Sequence, residues 1–321
     1  PSHRYPGVKE LAADVRACGL PPQLFEPSEH TPWSEVVPDR RAAQLRIRSL
    51  VALARSEPRA VVLPAVALVR KVVPASELAA RSVAVAVGDE IDRDELVRRL
   101  TDQGYLRVPL VEDPGTLAVR GGIVDVWSPG DQAPSRVELF GDEVASIKSF
   151  DPDDQRTHRS RRQALLLPVR EADQAHGDEA TRRLRALCDA VDWPSSKTRK
   201  LIDDVVLARK FFGADGFLPA FGALAPLSDQ LPRDAIVILD EPSAIERTVA
   251  EELDRAESDV LERSGAPHFE LDAFYCERAS IDAWLERSDK LALHRAPIQG
   301  GDGVLGRLAA ALDDVPTLAM D

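Results

Sequence analysis

The sequence predicts an α/β protein interrupted by an α+β, mostly antiparallel insert, and three observations predict it. Strand and helix candidates alternate at both ends of the chain, the pattern of a parallel sheet covered by helices. Five strand candidates crowd between 106 and 150, separated by hairpin formers rather than by crossover helices. Helical periodicity then returns from about residue 171.

At the start, Val8, Leu11, Val15 and Cys18 recur at helical spacing, and Gly19 stops the helix. An extended piece at Leu24-Phe25 and the turn-rich FEPSEHTPWSEVVPD follow. A second helix is expected over 40–54 with Asp39 as its N-cap. AVVLP (60–64) reads as a short strand and VALVRKV (66–72) as a further helix. From residue 82 the pattern changes. VAVAVG is strand-like, and Asp92 caps a helix carrying Leu96, Val97 and Leu100 that ends at Gly104. LRVPLVE (106–112), TLAVR (116–120), IVDVW (123–127), SRVELF (135–140) and VASIKSF (144–150) read as strands; DPG, GG, SPGDQAP and GDE supply their turns. Beyond 171, Leu184 and Leu187 share a helix, and Leu201, Val205 and Ala208 share a face of another. AIVILDE (235–241) is an apolar strand ending in two carboxylates, leading into a long helix from Pro242 to Arg263. A short helix, an edge strand at KLALH and a linker at IQGGDGVLGR close the reading.

Composition excludes several chemistries. With 321 residues and net charge −13, the chain is too acidic to wrap nucleic acid over a broad face. Cys18, Cys188 and Cys276 lie far apart with no CxxC, against a zinc cluster or a disulfide framework. No apolar run approaches the ~20 residues of a membrane span, so a soluble chain is expected. The six histidines form no HExxH, and RSRR (159–162) beside DPDD (151–154) reads as a solvated turn. VILDEP (237–242) places Asp240 and Glu241 where a nucleotide-binding fold holds its magnesium-organising and water-orienting acids. That pair needs a GxxxxGK[ST] loop, which occurs nowhere in the chain, and Asp-Glu-Pro also suits a helix start with acids near its dipole.

GYLRVPLVEDPGTLAVRGGIVDVWSPG, followed by SRVELFGDEVASIKSFDPDDQRT, resembles the second domain shared by the repair protein UvrB and the transcription-repair coupling factor (Mfd) family, over about fifty residues. TPWSEVVPDRRAAQLRIRSLVAL, the DDQRT after FDP, and ARKFFGADGFLPAFG favour the coupling-factor side. Where UvrB carries its DNA-threading hairpin, this chain has only FEPSEHTPWSEVVPD.

The resemblance implies a degenerate helicase-like (RecA-like) parallel-sheet domain, 1–81 and 171–295, interrupted by a UvrA-docking insert at 82–170, with 296–321 as linker or the start of a further domain. It implies a non-enzymatic, cytoplasmic bacterial repair module without cofactor, whose partner is UvrA. ATP hydrolysis and the contacts with RNA polymerase and DNA would belong to parts of the parent protein outside this chain. Asp240 and Glu241 would be a vestigial Walker B, and any phosphate loop would lie upstream of Pro1. The alternative is a UvrB-type ATP-dependent damaged-DNA-binding protein. Family UvrA contacts fall on Arg120, Arg136 and Phe140.

Strand alternation supports those three. Arg136, Glu138 and Phe140 share one face while Val137 and Leu139 point the other way. The Gly121-Gly122 turn is expected to bring the strand of Arg120 beside the strand of Arg136, forming a solvent-facing cationic platform whose acidic mate lies on UvrA.

Overall fold

The computed structural model describes residues 6–36, 39–207 and 213–293. The expected linker 296–321, His294 of the expected KLALH strand and Ala208 fall outside them. Helix Pro6–Ala17 ends where Gly19 takes a φ of 81°. Helix Arg40–Ala54 begins at Asp39, whose carboxylate accepts from the Arg41 and Ala42 amides at 2.9 and 3.4 Å. It buries Ile47, Leu50, Val51 and Leu53 against Phe25, Leu78, Leu167 and Leu227. That cluster joins residues from both sides of the insert, so the flanking segments share one core.

The segment 66–72 is not one helix. Helix Val66–Val69 stops where Arg70 turns extended, and strand Lys71–Val72 pairs antiparallel with Ala225–Pro226. The buried Arg70 donates from Nε to Glu252 at 2.9 Å and from Nη1 to the Ser28 and His30 carbonyls at 2.8 Å each. Glu252 lies on the long helix Pro242–Glu262 and also accepts from the Tyr275 hydroxyl at 2.8 Å. An extended arginine that ties three segments overrides local helix propensity.

Parallel pairing occurs twice in the flanking segments: Gln23–Leu24 with Val61–Val62, and Val237–Asp240 with Lys290–Leu293. Among the described residues these are two separate two-stranded pairs, not the continuous parallel sheet expected. Helices Gly177–Ala190 and Ser195–Val206 pack Ala180 and Leu184 on Ile202 and Val205. Two helices, Leu271–Phe274 and Arg278–Arg287, stand where one was expected.

The insert is organised by its own ends. Strand Val83–Ala86 enters it and pairs antiparallel with the exit strand Gln163–Leu166. Between them lies a six-stranded mixed sheet in the order Thr157–Arg161, Glu143–Phe150, Ser135–Phe140, Ile123–Val126, Thr116–Arg120, Leu106–Arg107. Only the last pair is parallel. Helix Arg93–Asp102 covers one face, burying Leu96 and Leu100 on Leu117, Val124, Val126, Val137 and Ile147. Two expectations need correction. LRVPLVE keeps only Leu106–Arg107 as strand, and RSRR is no turn: Thr157–Arg161 is an edge strand paired with Glu143–Phe150. The chain reverses just before it, where Gln155 takes a φ of 62°.

Candidate partner-docking face

The face of the insert sheet turned away from the helix carries a polar cluster beside the small apolar cluster of Val111, Ala118 and Phe150. Val124, Val126 and Val137 point into the core, so Asp125 and Arg136 point outward from adjacent strands as direct cross-strand partners. Asp125 is only 1% exposed. Its Oδ1 accepts from Arg136 Nε at 2.7 Å; its Oδ2 accepts from Arg136 Nη2 at 3.0 Å and Arg120 Nη2 at 2.5 Å. Arg136 Nη1 donates to the Gln155 carbonyl at 3.3 Å, and the guanidinium lies 4.6 Å over the Phe150 ring. The hydrogen bonds to Asp125 raise the Arg136 pKa above its ordinary value. Beside this cluster Glu138 accepts from Ser146 at 2.5 Å and from Lys148 at 2.9 and 3.1 Å. Those two contacts hold its carboxyl below the usual glutamate range, the serine contributing most.

Phe140 ends its strand at the Gly141 turn and is 83% exposed, the largest exposure among the large apolar side chains described. The neighbouring Gly121-Gly122 turn runs close beneath: Leu139 N donates to the Gly122 carbonyl at 2.7 Å, and a Cβ on Gly122 would meet the Leu139 carbonyl at 2.6 Å. That approach explains a glycine there in terms of space alone.

The structure gathers Arg120, Arg136 and Phe140 on one face but changes their relations. The strand of Arg120 does not adjoin that of Arg136, because Ile123–Val126 lies between them. Two strand spacings, roughly 10 Å, separate the backbones, and Asp125 on the middle strand bridges the side chains. Arg136 does not stand in solvent: its side chain is 14% exposed, against 48% for Arg120. Sequence reasoning missed Asp125, although IVDVW carried a signal. It is the lone acid of an apolar strand, at an outward position.

Asp240 ends its strand and Glu241 occupies the N-cap position of the long helix at a φ of 60°, with Pro242 following. Glu241 makes no side-chain capping bond, but the long helix starts at Pro242, as Asp-Glu-Pro suits. Glu77, Asp173 and His176 place three donor atoms within 4.8 Å of one another, but the Arg81 guanidinium already approaches Asp173 at 3.9 Å. Cys18 is exposed, Cys188 and Cys276 are buried, and all three are free thiols. Burial pushes the latter two thiols up in pKa. Among the described residues no helix is long and apolar enough to cross a membrane.

Comparison with known proteins matches residues 83–171 to the UvrB interaction domain. The fold and this face thus define a UvrB-type interaction domain set between two α/β segments. A transcription-repair-coupling factor from Myxococcus xanthus is 39% identical over 275 residues, covering 78% of this chain and 23% of that protein. The factor from Bacillus subtilis is 35% identical over 134 residues, 42% of this chain and 11% of the relative. The one from Escherichia coli is 30% identical over 143 residues, 44% of this chain and 12% of the relative. The chain belongs to the transcription-repair coupling factor family as its N-terminal, UvrB-like module. It spans about a quarter of the length of the Myxococcus relative.

Proposed function

We propose that this chain is a non-catalytic docking module that recruits UvrA to a transcription-repair coupling factor, through Arg120, Arg136 and Phe140 of the insert. The observation that carries this reading is an 83% exposed Phe140 on the same face of the sheet as two arginines fastened to a buried carboxylate. Large aromatics and arginine dominate binding hot spots, and nothing in the insert's own core uses the Phe140 ring. The flanking segments are the halves of a degenerate helicase-like, RecA-like domain, divided at 1–81 and 171–295. Two parallel strand pairs and carboxylates at the end of VILD support that assignment. ATP turnover and contacts with RNA polymerase and DNA belong to the remainder of such proteins, and the setting is the bacterial cytoplasm.

Titration of UvrA into the chain tests the proposal. Wild type binds saturably, and Arg120→Ala and Phe140→Ala each weaken binding about tenfold or more while leaving the melting curve in place. No binding by wild type, or unchanged affinity in both variants, refutes it. Magnesium-dependent ATP binding by this chain would instead favour a UvrB-type motor domain.

A further inference from the structure

We infer that Asp125 is the positioning residue of the docking face: it fixes Arg136 as an internal strut and presents Arg120 as the cation a partner meets. The inference rests on the docking reading above. A carboxylate 1% exposed in mid-strand is expensive to desolvate, and at a position flanked by inward Val124 and Val126 a small neutral residue would suffice for the sheet. What the carboxylate adds is directional. Its two oxygens accept three N–H groups from arginines two strands apart, which no neutral side chain of that size can do.

The donor count then separates the arginines. A guanidinium has five N–H groups. Arg136 commits three of them, two to Asp125 and one to the Gln155 carbonyl, and lays its plane on Phe150. Arg120 commits one to Asp125, leaving four on a side chain 48% exposed. A free arginine surrenders much rotamer entropy on binding; one already tethered at Nη2 surrenders less. A partner carboxylate therefore finds its fork on Arg120, on the same face as the Phe140 ring, and Asp125 acts on affinity only through that arginine.

Two measurements on the full chain test this. In the first, side-chain Nε–H relaxation and exchange are recorded for free wild type. Arg136 is expected to be ordered and slow to exchange, and Arg120 more ordered than the exposed Arg107, which makes no ion pair among the described residues. An Arg120 head as mobile as that of Arg107 overturns the inference without any variant. In the second, UvrA is titrated into wild type, Asp125→Asn, Arg120→Ala and the double variant, below the melting temperature of each. Asp125→Asn should weaken binding about tenfold, and Arg120→Ala should then add less than about twofold. Full additivity, or a folded Asp125→Asn chain that binds like wild type, overturns the positioning role alone. Absence of wild-type binding overturns the docking reading and the inference with it.

Discussion

Replacing Arg136 by alanine should damage the fold as well as the docking face, and the size of the damage follows from Asp125. The substitution removes hydrogen bonds of 2.7 and 3.0 Å to that carboxylate and the stack over Phe150. Breaking a fully buried ion pair by removing one partner costs roughly 3–5 kcal/mol, because the remaining charge is left without compensation. Here two features reduce the figure. Arg120 stays within 2.5 Å of the same carboxylate, and the vacated volume opens to solvent on the 14% exposed side of Arg136. We expect a loss of about 2 kcal/mol in unfolding free energy. Arg120→Ala, which removes one contact from a half-exposed side chain, should change stability by no more than about 0.5 kcal/mol. Lysine at 136 should recover part of the loss, since an ammonium cannot span both oxygens as the guanidinium does. Asp125→Ala on top of Arg136→Ala should also recover part, by removing the underpartnered charge. Urea unfolding of the five proteins, read at a constant slope, decides the matter. An Arg136→Ala midpoint equal to that of wild type would mean that Asp125 is hydrated in solution and that the arginine is a surface contact only.

Glu252→Gln should destabilise the flanking domain by about 3 kcal/mol, because Glu252 is 3% exposed and accepts from both Arg70 and Tyr275; a melting curve within error of wild type would contradict the buried network. Asp240→Asn with Glu241→Gln should leave UvrA affinity unchanged, since no phosphate loop in this chain gives those acids a nucleotide to serve; loss of docking by the folded double variant would tie the strand end to the insert's function.

The legible parts of the insert are those where local chemistry sets both strand and turn. TLAVR and SRVELF keep the bounds that alternation assigns them, and the intervening glycines and aspartates turn the chain where expected. Thr157–Arg161 was illegible because alternation needs one buried face, and four of its five residues are exposed. Its strand character comes from pairing with Glu143–Phe150, a contact between segments rather than a local preference. Helix over 66–72 failed for a related reason: the apolar period was present, but Arg70 is drawn out by Glu252, 182 residues away.

Alternation puts Arg136, Glu138 and Phe140 on one face and the Gly121-Gly122 turn adds Arg120, yet neither says which strand lies between the two arginines. A two-residue turn at Gly121-Gly122 makes Ile123–Val126 the neighbour of Thr116–Arg120, and the longer connection after Val126 brings Ser135–Phe140 to its far side. Once that order is fixed, the outward residue opposite Arg136 has to be Asp125, because Val124 and Val126 are already turned inward. Two cations on a shared face would repel each other on folding; a carboxylate on the strand between them reverses the sign of that interaction before any partner arrives. The acidic mate assigned to UvrA is thus met first within the chain. What remains for a partner is the half-exposed Arg120 and the ring of Phe140, a smaller and more directional target than a bare cationic platform.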